Sequence, residues 1–374
     1  MSKKFNIFLS ALFCVFLGGV FVLSLLLPDK DFSPLENRYL QKAPVLSLQA
    51  LKDGEFMADA ESYAADHIVG RDFWVALKAW CERLSGKQEN NGVYFGKEDT
   101  LINHLNQPDM DALYEKVDHV SALADNVGVP VYFGLIPSAA SIWQDRLPHP
   151  HAPTADEQAI IQALTGHGSV DGLVDVSEML SAHNGEAIYY RTDHHWTSLG
   201  AYYGYTAVME ALGMTPVSLS DYEKTTVSTD FYGTIFSSSG VRWVKPDSID
   251  TYVPEEGITV TNYFDGTPTE GELYVEKHLE QKDKYPYFLG GNQPLCVVKG
   301  RDPGAPKLLL IRDSYADAMT PFLAESFSEV HLYDLRYNLM NVRDYMTQNE
   351  IDQVVVLYSL SNFITDTNLF LLSR

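Results

Sequence analysis

An α/β fold with a sheet buried on both faces is predicted by short, mostly apolar runs that alternate with helical patterns. The runs are 129–136 (VPVYFGLI), 307–311 (KLLLI) and 354–358 (VVVLY). Strands that read as continuous apolar stretches, rather than as alternating ones, are covered on both sides, as in parallel sheets. An amphipathic helix at 109–127, closed by Gly128, precedes the first run, and a helix at 155–164 follows it. A helix at 316–327 and a strand at 330–333 separate the other two. With 374 residues and 45% apolar content, the chain has ample material for one large domain or two smaller ones.

The N-terminus is of another kind. Residues 5–27 (FNIFLSALFCVFLGGVFVLSLLL) contain no charge and are long enough as a helix to cross a hydrocarbon layer of about 30 Å. Lys3 and Lys4 precede the run, so the positive-inside bias keeps residues 1–4 in the cytoplasm and sends everything after the anchor at 5–28 outward. The run is longer than a signal-peptide core and no small-x-small cleavage site follows it, which favours an uncleaved single-pass anchor. Residues 29–90 read as a short stalk and two helices ending near Gly86, followed by the turn Asn90-Asn91-Gly92 and a short strand at 93–95. The remainder, 91–374, reads as the main domain. Within it, about 216–300 is rich in Thr, Ser, Tyr, Gly and Pro and is expected to be a β-rich insertion, with one charged helix near 272–281.

Charge excludes one class of function. With 27 basic against 50 acidic residues, the net charge of -23 repels phosphate backbones, so no nucleic-acid partner is expected. Cysteine is sparse: Cys14 lies in the apolar run, leaving Cys81 and Cys296 as the only pair able to bridge in an oxidising compartment.

Two stretches carry chemistry. In TDHHWT (192–197), alternation along an extended segment puts Asp193 and His195 on one face and His194 on the other. A carboxylate beside an imidazole fixes its tautomer and stabilises the imidazolium, as a general base requires. The alternatives are a purely structural Asp-His pair, or a metal site using Asp193, His194 and His195, which lacks any further spaced ligand nearby. In Arg312-Asp313-Ser314-Tyr315, a serine directly follows an apolar strand and precedes a helix, as an exposed nucleophile would at the carboxyl edge of a sheet. The competing reading is a helix N-cap. Asn292 and Asn362 are candidate oxyanion donors, Arg191 and Arg312 candidate substrate or carboxylate partners, and Tyr315 a candidate stacking surface.

The ordered set ENR (36–38), GRDFWV (70–75), NGVYFGK (91–97), TDHHWT, DFYGT (230–234), FLGGNQPL (288–295) and RDSYA (312–316) resembles the DHHW proteins of bacteria. These are similar to the SGNH-like, alginate-type extracytoplasmic O-acetyltransferases. The resemblance implies a flavodoxin-like SGNH hydrolase fold and a triad of Ser314 as nucleophile, His195 as base and Asp193 as its orienter. It implies a polysaccharide acceptor, a polytopic membrane O-acyltransferase as the source of acyl groups, and neither metal nor other cofactor. Two departures stand out: Arg312 replaces the usual small residue before Asp-Ser, and His precedes Ser in the chain, an order shared with the acetyltransferase branch.

Overall fold

The computed structural model describes residues 3–374. The chain forms two compact units: residues up to 91 together with 236–243, and 92–235 together with 244–374.

In the first unit, helix α1 (Lys3–Leu26) is mostly apolar after Lys3 and Lys4 and has no buried residue. It is long and apolar enough to cross a membrane. Helices α2 (Glu55–Asp66) and α3 (Arg71–Leu84) follow. The ENR and GRDFW motifs meet in one ion cluster. Arg38 grips the Asp66 carboxylate with both terminal nitrogens and reaches Glu36 through Nε at 2.7 Å, while Arg71 pairs with Glu36 at 2.7 Å. Such fork-to-carboxylate contacts fix geometry as well as charge. Hydrogen bonds and charge from Arg38 hold Asp66 down at about 2.

The second unit is built on an eight-stranded sheet. Its strands are β1 (Val131–Ile136), β2 (Gly172–Leu173), β3 (Thr259–Tyr263), β4 (Pro268–Gly271), β5 (Leu295–Lys299), β6 (Lys307–Arg312), β7 (Glu329–Tyr333) and β8 (Gln353–Ser359). They lie in the order β4-β3-β5-β7-β6-β8-β1-β2. From β7 to β2 all neighbours are parallel, whereas β5, β3 and β4 extend the β7 edge in antiparallel fashion. The β-rich stretch therefore widens the sheet itself, apart from one separate antiparallel pair, Thr225–Phe231 with Asp247–Thr251.

Alternation along β6 shows why its sequence reads as a solid apolar run. Leu308 and Leu310 enter one core, and Leu309 and Ile311 the other. Helices α4 (Met110–Asn126) and α5 (Glu157–His167) close the second core through Leu113, Val117, Ile160 and Leu164. Helices α6 (Ser198–Ala211) and α7 (Tyr315–Leu323) pack together in the first, where Tyr205 and Phe322 stack at 5.9 Å. The arrangement is the α/β sheet with helices on both faces that the sequence predicts.

One expected element differs. The charged stretch near 272–281 forms only a 3-10 turn, Glu276–Glu280, with no buried residue. Its apolar residues Leu273, Tyr274 and Val275 are instead buried in an extended run, with Tyr274 bridged to Phe288, which leaves only the charged end to turn. No disulfide forms among the described residues: Cys81 is exposed and Cys296 buried, with burial pushing its thiol up to about 12.

Candidate active site

Strand β6 ends at Arg312, in the middle of the parallel sheet, and Ser314 opens α7 two residues later. The turn between them is clamped by Asp313. Its Oδ1 accepts the Tyr315 amide at 3.0 Å, and its Oδ2 accepts the Ser359 amide (2.8 Å), the Ser359 hydroxyl (2.6 Å) and Asn362 Nδ2 (2.8 Å). The ends of β6 and β8 are thus locked together around one carboxylate. Ser314 has helical dihedrals and makes no side-chain cap bond. Its hydroxyl instead lies 2.8 Å from His195 Nε2, which decides against the N-cap reading.

His195 is held from three sides. Asp193 Oδ1 accepts from ring Nδ1 at 2.6 Å and from the His195 amide at 3.0 Å. Asp193 Oδ2 accepts from the Thr234 amide at 2.7 Å and its hydroxyl at 2.9 Å. Tyr285 stacks on the imidazole with centroids 3.6 Å apart and planes 7° apart, and its hydroxyl donates to the Ser314 carbonyl at 3.0 Å. The Asp193 bond places the ring proton on Nδ1, so Nε2 is the acceptor facing Ser314. Gly233 makes room for the carboxylate: a Cβ there would stand 2.2 Å from Asp193.

Electrostatics match this geometry. Burial, then the charge of His194, pulls the His195 imidazolium down to about 4, against the opposite pull of Asp193. At neutral pH the ring is free of its second proton and can take one from serine. Burial alone would raise Asp193, but the charges of both histidines and the bonds from His195 and Thr234 hold it well below the usual carboxylate range.

His194 departs from the alternation argument. The segment is bent rather than extended, so the two rings lie 3.8 Å apart, with His194 Nδ1 bound to the Thr234 hydroxyl at 2.7 Å. Ligand atoms of Asp193, His194 and His195 come within 4.8 Å of one another. Both ring nitrogens of His195 are already engaged, by Asp193 and Ser314, and a metal would have to break one of these bonds.

The other candidates fall in several places. Arg191 anchors the loop: Nε reaches Asp247 at 3.2 Å and Nη2 the Pro246 carbonyl at 2.6 Å. Arg312 is fully buried and pairs with Asp317 at 2.9 Å, so it is a strut behind the turn rather than a substrate group. Tyr315, 2% exposed, ties its hydroxyl to the His194 carbonyl and accepts Trp196 Nε1 at 2.8 Å through its own carbonyl, which leaves no face for stacking. Asn292 is exposed and bound to Arg336 at 3.3 Å. Asn362 alone among the proposed donors adjoins the nucleophile, through Asp313. Tyr285, Gly233 and Thr234 were not predicted as site residues. DFYGT signals the last two only as a motif, and nothing in KYPYF marks Tyr285 as a neighbour of His195.

Residues 117–333 match the family described as DHHW protein, more than half of the chain. The chain belongs to the DHHW family. Among solved structures, this DHHW protein is similar to a DHHW family protein from Eubacterium siraeum, with 24% identity over 76% of this chain and 95% of that one and a TM-score of 0.67. It is also similar to Bacillus cereus PatB1, solved with a sulfonyl adduct, at 22% identity over 74% of this chain and 97% of that one, TM-score 0.63. The O-acetyltransferase domain of Pseudomonas putida AlgJ is more distant, at 14% identity over 74% of this chain and 93% of that one, TM-score 0.45. No curated protein sequence matches the chain.

Proposed function

We propose that this DHHW protein is a membrane-anchored, outward-facing serine O-acetyltransferase or acetylesterase acting on exported or cell-surface polysaccharide. One observation carries the reading: an unbroken hydrogen-bonded relay from the Ser314 hydroxyl through His195 to Asp193. Ser314 attacks the carbonyl of an acyl donor as Nε2 removes its proton, giving a tetrahedral intermediate and then an acyl-serine once the donor alcohol leaves with that proton. A saccharide hydroxyl, or water, then repeats attack and proton transfer in reverse. The Ser314 amide, for which no hydrogen-bond partner is found among the described residues, is the proposed oxyanion donor, with the Asn362 side chain beside it.

Outside the membrane there is no coenzyme A pool, so transfer needs acyl groups brought across the bilayer, and a polytopic membrane O-acyltransferase is the proposed source. The acceptor decides between transferase and esterase. PatB1 with its sulfonyl adduct suggests the probe. A sulfonyl fluoride should add once, at Ser314, and both labelling and aryl-acetate hydrolysis should vanish in Ser314→Ala. A folded wild type that neither labels nor releases acetate at any pH is instead a non-catalytic glycan-binding or assembly protein. Retained hydrolysis in Ser314→Ala would equally end this proposal.

A further inference from the structure

The relay leaves the other histidine of its motif unused. His194 Nδ1 lies 2.7 Å from the Thr234 hydroxyl, and that hydroxyl donates its one proton to Asp193 at 2.9 Å. The hydroxyl can only accept from His194, so Nδ1 carries the ring proton and Nε2 of the neutral ring presents a bare lone pair. The side chain is 35% exposed, and no partner for Nε2 is found among the described residues. Beside it lies a cavity of about 90 Å³ whose lining includes His194, Ser138, Glu157, Tyr315 and Ser361. Tyr315 and Ser361 are the chain neighbours of Ser314 and Asn362, and the His194 and His195 rings are 3.8 Å apart, so the cavity adjoins the nucleophile.

Glu157, the first residue of α5, brings a carboxylate to this cavity. It accepts the Ser138 amide at 2.8 Å on one oxygen and the Ser138 hydroxyl at 2.6 Å on the other. That hydroxyl in turn accepts the Ala140 amide at 3.2 Å, which leaves its own proton for Glu157. Both oxygens thus act as acceptors, as in an ionised carboxylate, and each has capacity for a further donor. Glu157 is buried, and no cation pairs with it among the described residues. A matching ligand must therefore bring donors. An acyl chain brings none and would leave Glu157 and His194 unmatched, whereas the edge of a sugar offers adjacent hydroxyls. A uronate would set a second carboxylate against Glu157 in a lining that holds neither Lys nor Arg.

We propose that this cavity is a subsite for the acceptor, in which Glu157 and His194 hold hydroxyls of a neutral sugar and discriminate against uronates. It rests on the acyl-transfer reading of Ser314 and adds the class of saccharide to it. Binding is measured apart from chemistry, in full-length Ser314→Ala protein kept in a detergent without a sugar headgroup. Calorimetric titration uses chitopentaose, cellopentaose and mannopentaose as neutral probes and pentagalacturonate as the uronate. At least one neutral probe should bind about tenfold or more tightly than the uronate. Glu157→Gln should weaken that probe by about 10- to 100-fold and, with the charge gone, narrow its lead over pentagalacturonate. A purely structural tie to Ser138 would weaken both probes alike. Ser361→Trp, at an exposed position of the lining, should block the neutral probe while leaving Glu157 in place. No neutral probe bound, an unchanged preference in Glu157→Gln, or unchanged affinity in Ser361→Trp overturns the proposal, and the cavity then holds only water. Should wild-type Ser314 refuse the sulfonyl label while sugar binding still depends on Glu157, the acyl chemistry falls and the saccharide site stands.

Discussion

Ser314 stands at the end of a strand buried on both faces, whereas His195 stands in a bent loop whose shape is set by side chains. Sheet packing positions the first: β6 is paired along its length with β7 and β8, and Asp313 pins its end. Polar bonds position the second, with Asp247 holding Thr192 and Arg191, Asp193 holding the ring, and Thr234 holding Asp193. A nucleophile placed by packing should tolerate the loss of any one polar contact. A base placed by carboxylates should be sensitive to small changes in the groups around them.

The largest effect should come from breaking both sides of this comparison at once. Ser314→Ala and His195→Ala should each lower kcat by on the order of 10⁴- to 10⁶-fold, and the double variant should be no worse than either, because the two act as one device. Independent, multiplying losses in steady-state kinetics would show that they do not. On the packed side, Arg312→Leu should cost about 3–5 kcal/mol in denaturant unfolding by leaving the buried Asp317 without its cation, whereas Asp334 keeps Arg336 at 2.6 Å. A variant as stable as the parent would remove its role as a strut.

On the polar side, Gly233→Ala should cost about 1–3 kcal/mol, because the new methyl group meets the Asp193 carboxylate. Activity should fall further than stability explains, as Asp193 is pushed off the ring; parallel losses would indicate simple misfolding. The smallest change separates the two contacts of Tyr285. Tyr285→Phe keeps the stack and gives up only the bond to the Ser314 carbonyl, so little should change. Tyr285→Ala uncovers the ring. Because burial is the main force lowering His195, the acid limb of kcat/KM should move up from about 4 towards the ordinary value near 6.5. The sign in the parent follows from the same shift. Activity falls as pH drops through about 4, and stability falls as pH drops from roughly 6.5 towards that value, because the unfolded chain takes up the proton first.

The sequence made some of this legible for a definite reason. A strand covered on both faces leaves a solid apolar run, so 307–311 and 354–358 announced the sheet, and Ser314 at the end of one run announced its edge. Asp193 and His195 were legible because they are neighbours in the chain as well as in space. Residues that meet the site from a distance leave no such trace. Tyr285 lies in a 3-10 turn between β4 and β5, ninety positions after His195, and only the fold brings the rings together. Arg312 looked like a substrate group because its position beside Ser314 is visible in sequence while its complete burial is not. The bend that brings His194 beside His195 was equally hidden, since it depends on Thr234 from another segment.

The fixed imidazole has a kinetic corollary. With Nδ1 tethered to Asp193 and one ring face covered by Tyr285, the ring cannot turn over between half-reactions. In the proposed reaction, a single nitrogen would hand its proton to the departing alcohol and later collect one from the newcomer, through the same doorway. If the acyl-serine forms as proposed, the first product leaves before the second reactant enters, and double-reciprocal plots at several donor concentrations should run parallel.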